Sequence, residues 1–297
     1  MTFWFSSERL ASLHRAVLEW FASSGRDLPW RHTRDPYRIL VAEVMLQQTQ
    51  VDRVIPKYHD FLAAFPTLAA LAAAPVAEVI RAWAGLGYNR RAVSLQRAAQ
   101  AAVERFGGAL PDDVAALESL PGVGRYTAAA IACFAFRRRV PVVDTNIRRV
   151  LGRVAGLPDL TEREAWQVAE AALPADAWTW NQALMDLGAT ICAARGPRCL
   201  LCPALAMCAT RGEGRAVAEQ RAGFRPARFE GSRRWYRGRA VAALRSLQPG
   251  ESLPLAALGA AIKPDFSAAD SDWIAALAEE LAADGLARLD GERISLP

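Results

Sequence analysis

Lysine is almost missing from this 297-residue chain: only Lys57 and Lys263 stand among 36 basic residues. Chemistry that needs a nucleophilic amine is confined to those two positions. No run reaches the roughly eighteen apolar residues that a membrane span needs. The richest stretch, FPTLAALAAAPVAEVI, is broken by Pro66 and Pro75. The opening MTFWFSSERL lacks the basic start and apolar run of a secretory signal, so the expectation is a cytoplasmic protein with no membrane partner. Cysteine is scarce at five residues, and in that compartment disulfides are rare and clustered cysteines favour a metal. Strand-like alternation is nearly absent before residue 230, and there is no internal repeat.

What is present is helical. The composition is 52% hydrophobic and rich in alanine, which suits closely packed helices. Leu10, Leu13, Val17, Leu18 and Phe21 mark a first amphipathic helix. Leu117, Leu120 and the run from Tyr126 to Phe136 mark a helix pair. The net charge is +5 with a pI near 9.2, and the cations are arginines, whose planar fork suits phosphate. A GC-rich genome gives the same bias. Residues 211–234 are polar and rich in Gly and Arg, as a linker is. A module follows over 235–297, with helices over 236–246, 254–262 and 272–285 and a hairpin around Asp290-Gly291. That order is winged-helix-like, with a plain helical cap as the other reading.

Four stretches carry candidate chemistry. In LESLPGVGRYTAAAIACFAF (117–136), a Pro-Gly-Val-Gly turn separates two helices. Gly122, Val123 and Gly124 would present backbone N–H groups at a helix start, where phosphate binds, although an ordinary αα-turn has the same outline. In DPYRILVAEVMLQQTQVDRVIP (35–56), Glu43 lies among Val41, Val44 and Leu46. Burial there would raise its pKa and let it hold a proton; a helix-surface glutamate is the alternative. The following Gln47-Gln48-Thr49-Gln50 run is odd for a core-facing helix and suits hydrogen bonds to base edges or sugar. In VPVVDTNIRRVLGRV (140–154), Asp144 is placed as an N-cap, and a catalytic role would need a second carboxylate, for which Glu43 is a candidate. CAARGPRCLLCPALAMC (192–208) gathers four thiols at spacing that favours a metal and leaves zinc and an iron–sulfur cluster both open. Cys133, in IACFAF, reads as a small buried hydrophobe.

Taken together these segments resemble the helix-hairpin-helix DNA glycosylases, most closely the adenine-specific branch. The resemblance runs from about Leu28 to Cys208 through LPWR (28–31), EVMLQQTQV (43–51), WAGLGY (83–88), LPGVGRYTAAAI (120–131), VDTNIRRVL (143–151), NQALMDLGA (181–189) and the four cysteines. It implies an all-α, two-lobed fold with an iron–sulfur cluster loop. One lobe of six helices with the hairpin would span 28–142. A discontinuous cluster lobe would comprise 1–27 and 143–210. The resemblance also implies a [4Fe–4S] cluster on Cys192, Cys199, Cys202 and Cys208, and a monomer acting on double-stranded DNA with a mispaired adenine. Adenine would be flipped out of the duplex toward Trp30, Arg31 and Asp186, while Gln48 and Tyr88 wedge into the stack. Thr49 belongs to the same DNA-contacting run.

The implied reaction is hydrolysis of an N-glycosidic bond by two carboxylates. Glu43 would protonate the adenine ring as general acid, and ionised Asp144 would stabilise the oxocarbenium-like sugar. Tyr126 and Asn146 match supporting positions. Lyases of the related endonuclease III type carry a lysine directly after LPGVGR; Tyr126 stands there, which implies a monofunctional enzyme. Three departures stand out: Asn89 in place of a second tyrosine, Thr145 beside the aspartate, and roughly sixty residues from Trp235 that are too short and too helical for the Nudix-like domain of many members. The alternatives are a thymine or uracil mismatch glycosylase and a non-catalytic DNA-damage-binding protein. Glu43 argues against the former, since a pyrimidine has no N7 to protonate. The pair Glu43 and Asp144 argues against the latter.

Overall fold

The computed structural model describes residues 4–157, 159–211 and 228–297, so most of the expected linker 211–234 lies outside the described residues. The chain forms two compact units. One comprises 4–39, Asp112–Ala115 and 124–211; the other comprises Leu40–Pro111, Ala116–Val123 and 228–297.

The first unit is built on α1 (Ser7–Ser24), α8 (Arg125–Phe134), α9 (Thr145–Ala155), α10 (Glu162–Ala171) and α11 (Ala177–Thr190). Helix α1 starts where the Ser6 side chain accepts from the Arg9 amide, and it buries Leu13 and Val17. Helix α11 packs against α1 and α9. It can lie close to α9 because residue 188 is glycine: a Cβ there would sit 2.6 Å from Asn146 Cβ. Every residue of α8 from Thr127 to Phe134 is buried, which explains its unbroken apolar and small-residue sequence.

Helix α2 (Pro36–Leu46) opens at Asp35, whose carboxylate accepts from the amides of Tyr37 and Arg38, with proline at the first helical position. Ile39 through Met45 are all buried, so the helix is interior along most of its length. The second unit continues with α3 (Val51–Ala64), α4 (Leu68–Ala73), α5 (Val76–Ala82), α6 (Arg90–Phe106) and α7 (Val114–Glu118), the last lying at a boundary of the two units.

The C-terminal residues form α12 (Arg233–Arg245), α13 (Leu255–Ile262), α14 (Ser271–Ala283) and strands β1 (Leu253–Pro254), β2 (Arg288–Asp290) and β3 (Arg293–Ser295). The sheet is antiparallel in order β1-β3-β2. Asp290 pairs with Arg293, so the hairpin loop is Gly291-Glu292, one residue later than the sequence pattern suggests. Strand β1 is two residues long and includes a proline, which is tolerated because it lies at the sheet edge. The module shares one core with the rest of its unit: Ile80 of α5 and Val93 of α6 pack with Val241, Leu244, Leu258, Leu277 and Ile294. Arg245 reinforces the contact, donating to the Ile80 carbonyl (2.8 Å) and to Asn89 Oδ1 (2.8 Å).

Candidate active site

Glu43 is the one acidic residue of α2 and is only 5% exposed, flanked by the buried Ala42 and Val44. The run after it is not helical. Helix α2 stops at Leu46, and Gln47 to Gln50 form the turn into α3. The Gln47–Gln50 run, odd for a core-facing helix, is thus a turn. The stop is made by a distant residue. Arg91 Nη1 donates to the carbonyls of Val44 (2.8 Å), Met45 (2.9 Å) and Gln47 (2.6 Å), and caps the helix C-terminus with positive charge. Its Nη2 donates to Thr49 Oγ1 (3.0 Å) and to the carbonyls of Leu86 (3.2 Å) and Gly87 (3.1 Å). Burial lowers the Arg91 pKa to about 10, with Tyr88 opposing that shift, so the guanidinium stays charged at neutral pH.

One side chain thus pins two turns, and each carries a residue in the left-handed region: Gln48 at φ 57° and Tyr88 at φ 45°. Such backbone costs about 1–3 kcal/mol per non-glycine residue and persists only where the surroundings enforce it. Both side chains are exposed, Tyr88 to 41%. Thr49 is half-buried and tied into the same network.

Asp144 is the N-cap of α9. Its Oδ1 accepts from the Ile147 amide (2.6 Å) and its Oδ2 from Asn146 Nδ2 (2.8 Å). Asn146 Oδ1 in turn accepts from Arg149 Nη2 (2.7 Å), and Arg149 Nε donates to the Cys192 carbonyl (2.8 Å). A continuous chain of hydrogen bonds therefore joins the aspartate to the first cysteine of the loop. Burial pushes the Asp144 pKa up; the bonds from Ile147 and Asn146 and the Arg149 charge oppose it. The segment leading into Asp144 is held by Asn181, which is buried. Its Oδ1 accepts from the Val142 amide (3.1 Å) and its Nδ2 donates to the Val140 carbonyl (3.1 Å). Thr145 is exposed, so its bulk meets no packing. Tyr126 lies half-buried in the first turn of α8. Cys133 is fully buried, as its sequence context implies, and burial raises its thiol to about 11.

Arg31 and Asp186 come together in the first unit, and Trp30, next to Arg31 in the chain, is buried. Asp186 has no exposure at all. Arg31 grips it through Nη1 to Oδ2 and Nη2 to Oδ1, both 2.8 Å, and Arg26 adds its amide and its Nε at 2.8 Å each. Arg31 Nε donates to Gln182 Oε1 (2.7 Å). Burial alone would raise the Asp186 pKa, but the bonds from Arg31 and Arg26 outweigh it and hold the carboxyl below the usual range. The cluster is a closed bidentate ion pair that fastens the 26–31 segment to α11.

In the hairpin, Val123 is buried and its amide is spent on the Leu120 carbonyl (3.1 Å). Gly122 and Gly124 are exposed. Gly124 is the N-cap of α8 and no side chain caps that helix start, which leaves an anion-receptive terminus.

Cys192, Cys199, Cys202 and Cys208 are all free thiols lining one small cavity of about 30 Å³ with Ile191, Pro197 and Leu205. Burial raises the Cys202 thiol to about 11, and the three neighbouring cysteines push the same way. Arg153 Nη1 donates to Cys192 Sγ (3.2 Å). Among the described residues, no set of three or more Cys, His, Asp or Glu closes on a single-ion site.

Residues 41–174 match the HhH-GPD superfamily of base excision DNA repair proteins. An adenine DNA glycosylase from Mycobacterium tuberculosis is 44% identical over 239 residues, covering 78% of each chain. One from Mycolicibacterium smegmatis is 46% identical over 235 residues, covering 77% of this chain and 79% of the relative. The chain belongs to the HhH-GPD superfamily. Among solved structures, a thermostable thymine-DNA glycosylase superposes with a TM-score of 0.66 at 32% identity, covering 69% of this chain and 98% of that one.

Within this HhH-GPD chain, motif reading missed residues that work at long range. Arg91 and Asn181 sit in or beside the motifs with no local signal of their own, and Arg149 reads locally as a phosphate contact or a solvated helix face. Asn89, noted only as a departure, accepts from Arg245 and so helps dock the C-terminal module.

Proposed function

We propose that this chain is a monofunctional adenine DNA glycosylase. It hydrolyses the N-glycosidic bond of adenine mispaired with 8-oxoguanine or guanine in duplex DNA, and it acts as a monomer. The observation that carries the reading is Glu43, a carboxyl enclosed by the apolar helix α2 in a chain 44–46% identical to adenine DNA glycosylases. An enclosed carboxyl can hold a proton and deliver it to the adenine ring, making the base a better leaving group. Asp144 then stabilises the sugar cation, with Asn146 and Arg149 fixing its orientation. Gln48 and Tyr88, rigid and exposed on their strained turns, fill the stack when adenine leaves it. The Arg31–Asp186 pair shapes the base pocket with Trp30. The amides at the start of α8, behind Gly122 and Gly124, hold phosphate without reading sequence.

The four loop cysteines fit a [4Fe–4S] cluster. They line one cavity, and each thiolate of such a cluster binds a different iron, so the thiols need not converge on one point. When bound, the cluster supplies a rigid cross-link for the loop. The Cys192 carbonyl, held by that loop, orients Arg149. The C-terminal helices and edge-paired sheet read as a winged-helix-like module.

The test is a gel assay with duplexes carrying A opposite 8-oxoguanine, A:G, T:G and U:G, followed by hot alkali. Adenine release is expected, with no adduct trapped by borohydride, since Tyr126 replaces the lyase lysine. Strand breakage only at T or U would overturn the adenine reading and establish the mismatch alternative. Glu43→Gln is expected to lower adenine release by roughly 10²–10⁴-fold while still binding DNA. Purified protein should be brown and contain iron and acid-labile sulfide in equal amounts.

A further inference from the structure

The second unit contains a cleft of about 910 Å³ that includes the Gln48 and Tyr88 turns and extends onto the C-terminal module, whose residues the proposed function leaves without a role. Its lining includes Arg53, Arg90, Arg91, Arg97, Arg234 and Arg237, and no acidic residue. Two of these charges are spoken for: Arg91 is filled by carbonyls, and Arg237 pairs with Glu280 and Asp284. Arg90 reaches Asp284 at 3.5 Å. Arg53, Arg97 and Arg234 pair with no carboxylate among the described residues and are exposed. Two aromatic rings join them, Tyr88 and the 52%-exposed Phe229. Arg234 lies between these rings, 5.2 Å from the centroid of Tyr88 and 4.8 Å from that of Phe229, and donates to the Tyr88 hydroxyl at 2.7 Å.

An acid-free cleft with open guanidinia and exposed rings matches the chemistry of a single nucleic-acid strand: phosphates on the arginines, bases stacked on the aromatics. We propose that the C-terminal module completes a binding cleft for a locally unpaired DNA strand. Phe229 supplies a stacking face and Arg234 a phosphate partner. The inference rests on the glycosylase reading, because flipping a base leaves the neighbouring strand unpaired where Tyr88 and Gln48 stand. Gln48 lines the same cleft. The stackable rings of Tyr88 and Phe229 favour DNA over an acidic polypeptide.

The experiment measures the Kd of the full chain for fluorescein-labelled duplexes, undamaged and with A opposite 8-oxoguanine, over a series of salt concentrations. Phe229→Ala is expected to weaken lesion binding by about 5-fold or more. Arg234→Ala should lower the slope of log Kd against log salt by about 1. Arg239→Ala serves as a control on the same helix, since its guanidinium donates to the Ala261 carbonyl and stacks on Trp235 outside the cleft; its binding should equal wild type. Melting temperatures of all three variants establish folding. Unchanged Kd and slope in both cleft variants would overturn the proposal and leave an acidic partner protein as the occupant. Adenine release by the wild-type preparation is scored separately. Its failure would sink the glycosylase reading, while the Kd comparison on the lesion duplex, which needs binding and no turnover, would still decide the cleft.

Discussion

The hairpin glycines offer a clean separation of packing from ligand approach. Gly122 has φ +75°, and a Cβ there would sit 2.7 Å from Ser94 Cβ on α6. An alanine must therefore accept left-handed backbone, at roughly 1–2 kcal/mol. It must also push aside a Cβ anchored to a helix, an overpacking cost of about 1–3 kcal/mol. The gain from restricting the unfolded chain returns only about 0.4–1 kcal/mol. Gly122→Ala should thus destabilise by about 1–4.5 kcal/mol, a fall in melting temperature of about 2–18 °C for a unit of this size. Gly124 contrasts with it: its φ is −88° and a Cβ would meet nothing within 4 Å. Gly124→Ala should change stability by no more than about 0.5 kcal/mol. If phosphate docks on the amides it borders, however, the added methyl blocks a charge-assisted hydrogen bond of about 1.5–3 kcal/mol. Affinity for duplex DNA then falls about tenfold or more. Calorimetric melting and fluorescence anisotropy on the two variants decide the matter. Wild-type affinity in Gly124→Ala would remove the start of α8 as a phosphate site, and wild-type melting in Gly122→Ala would refute the packing argument.

Three further outcomes are expected. Arg91→Lys loses the fork that spans two turns, so the denaturation midpoint should drop by the equivalent of about 1–3 kcal/mol, and single-turnover adenine release should slow as Gln48 and Tyr88 loosen. An unchanged midpoint would show that the six acceptors do not need the fork. Asp186→Asn leaves the Arg31 guanidinium, 7% exposed, facing a neutral amide, which should cost about 3–5 kcal/mol in chemical denaturation. A smaller loss than that of a surface carboxylate would contradict the buried-pair reading. The pKa of Asp144 rises on folding, so the native state holds its proton more tightly than the unfolded chain. Its contribution to stability is present at low pH and is lost as pH climbs through the raised value, while activity needs the ionised form and falls as pH drops through it. The acid limb of the single-turnover rate should lie above the ordinary aspartate range and move higher still in Asn146→Ala, which removes an opposing hydrogen bond. A downward shift would exclude Asp144 as the group titrating.

The contrast between what the sequence made legible and what it hid follows the range of the forces involved. Burial of Glu43 was one of two readings that Val41, Val44 and Leu46 allowed, with a helix-surface glutamate the other, whereas the N-cap geometry of Asp144 was readable because a cap is decided within three residues. The C-terminal hairpin was readable to within one residue from Asp290-Gly291. The end of α2 was not, because Gln47 to Gln50 contain no Gly or Pro to interrupt the helix. What stops it is Arg91, a guanidinium that gathers its carbonyls from 47 positions away. The short strand β1 was invisible for the same reason, since two residues with a proline carry no alternation and exist only as partners of Arg293 and Ile294. Asp186 makes the point most sharply. Its place near Trp30 and Arg31 came from resemblance alone, and only the folded chain shows that Arg26 and Arg31, 155 to 160 residues earlier, consume both its oxygens. A substrate base reaching Asp186 must therefore bargain with two guanidinia already in place. On the proposed function, this site would bring to base recognition the rigidity of that pair and not a free carboxylate.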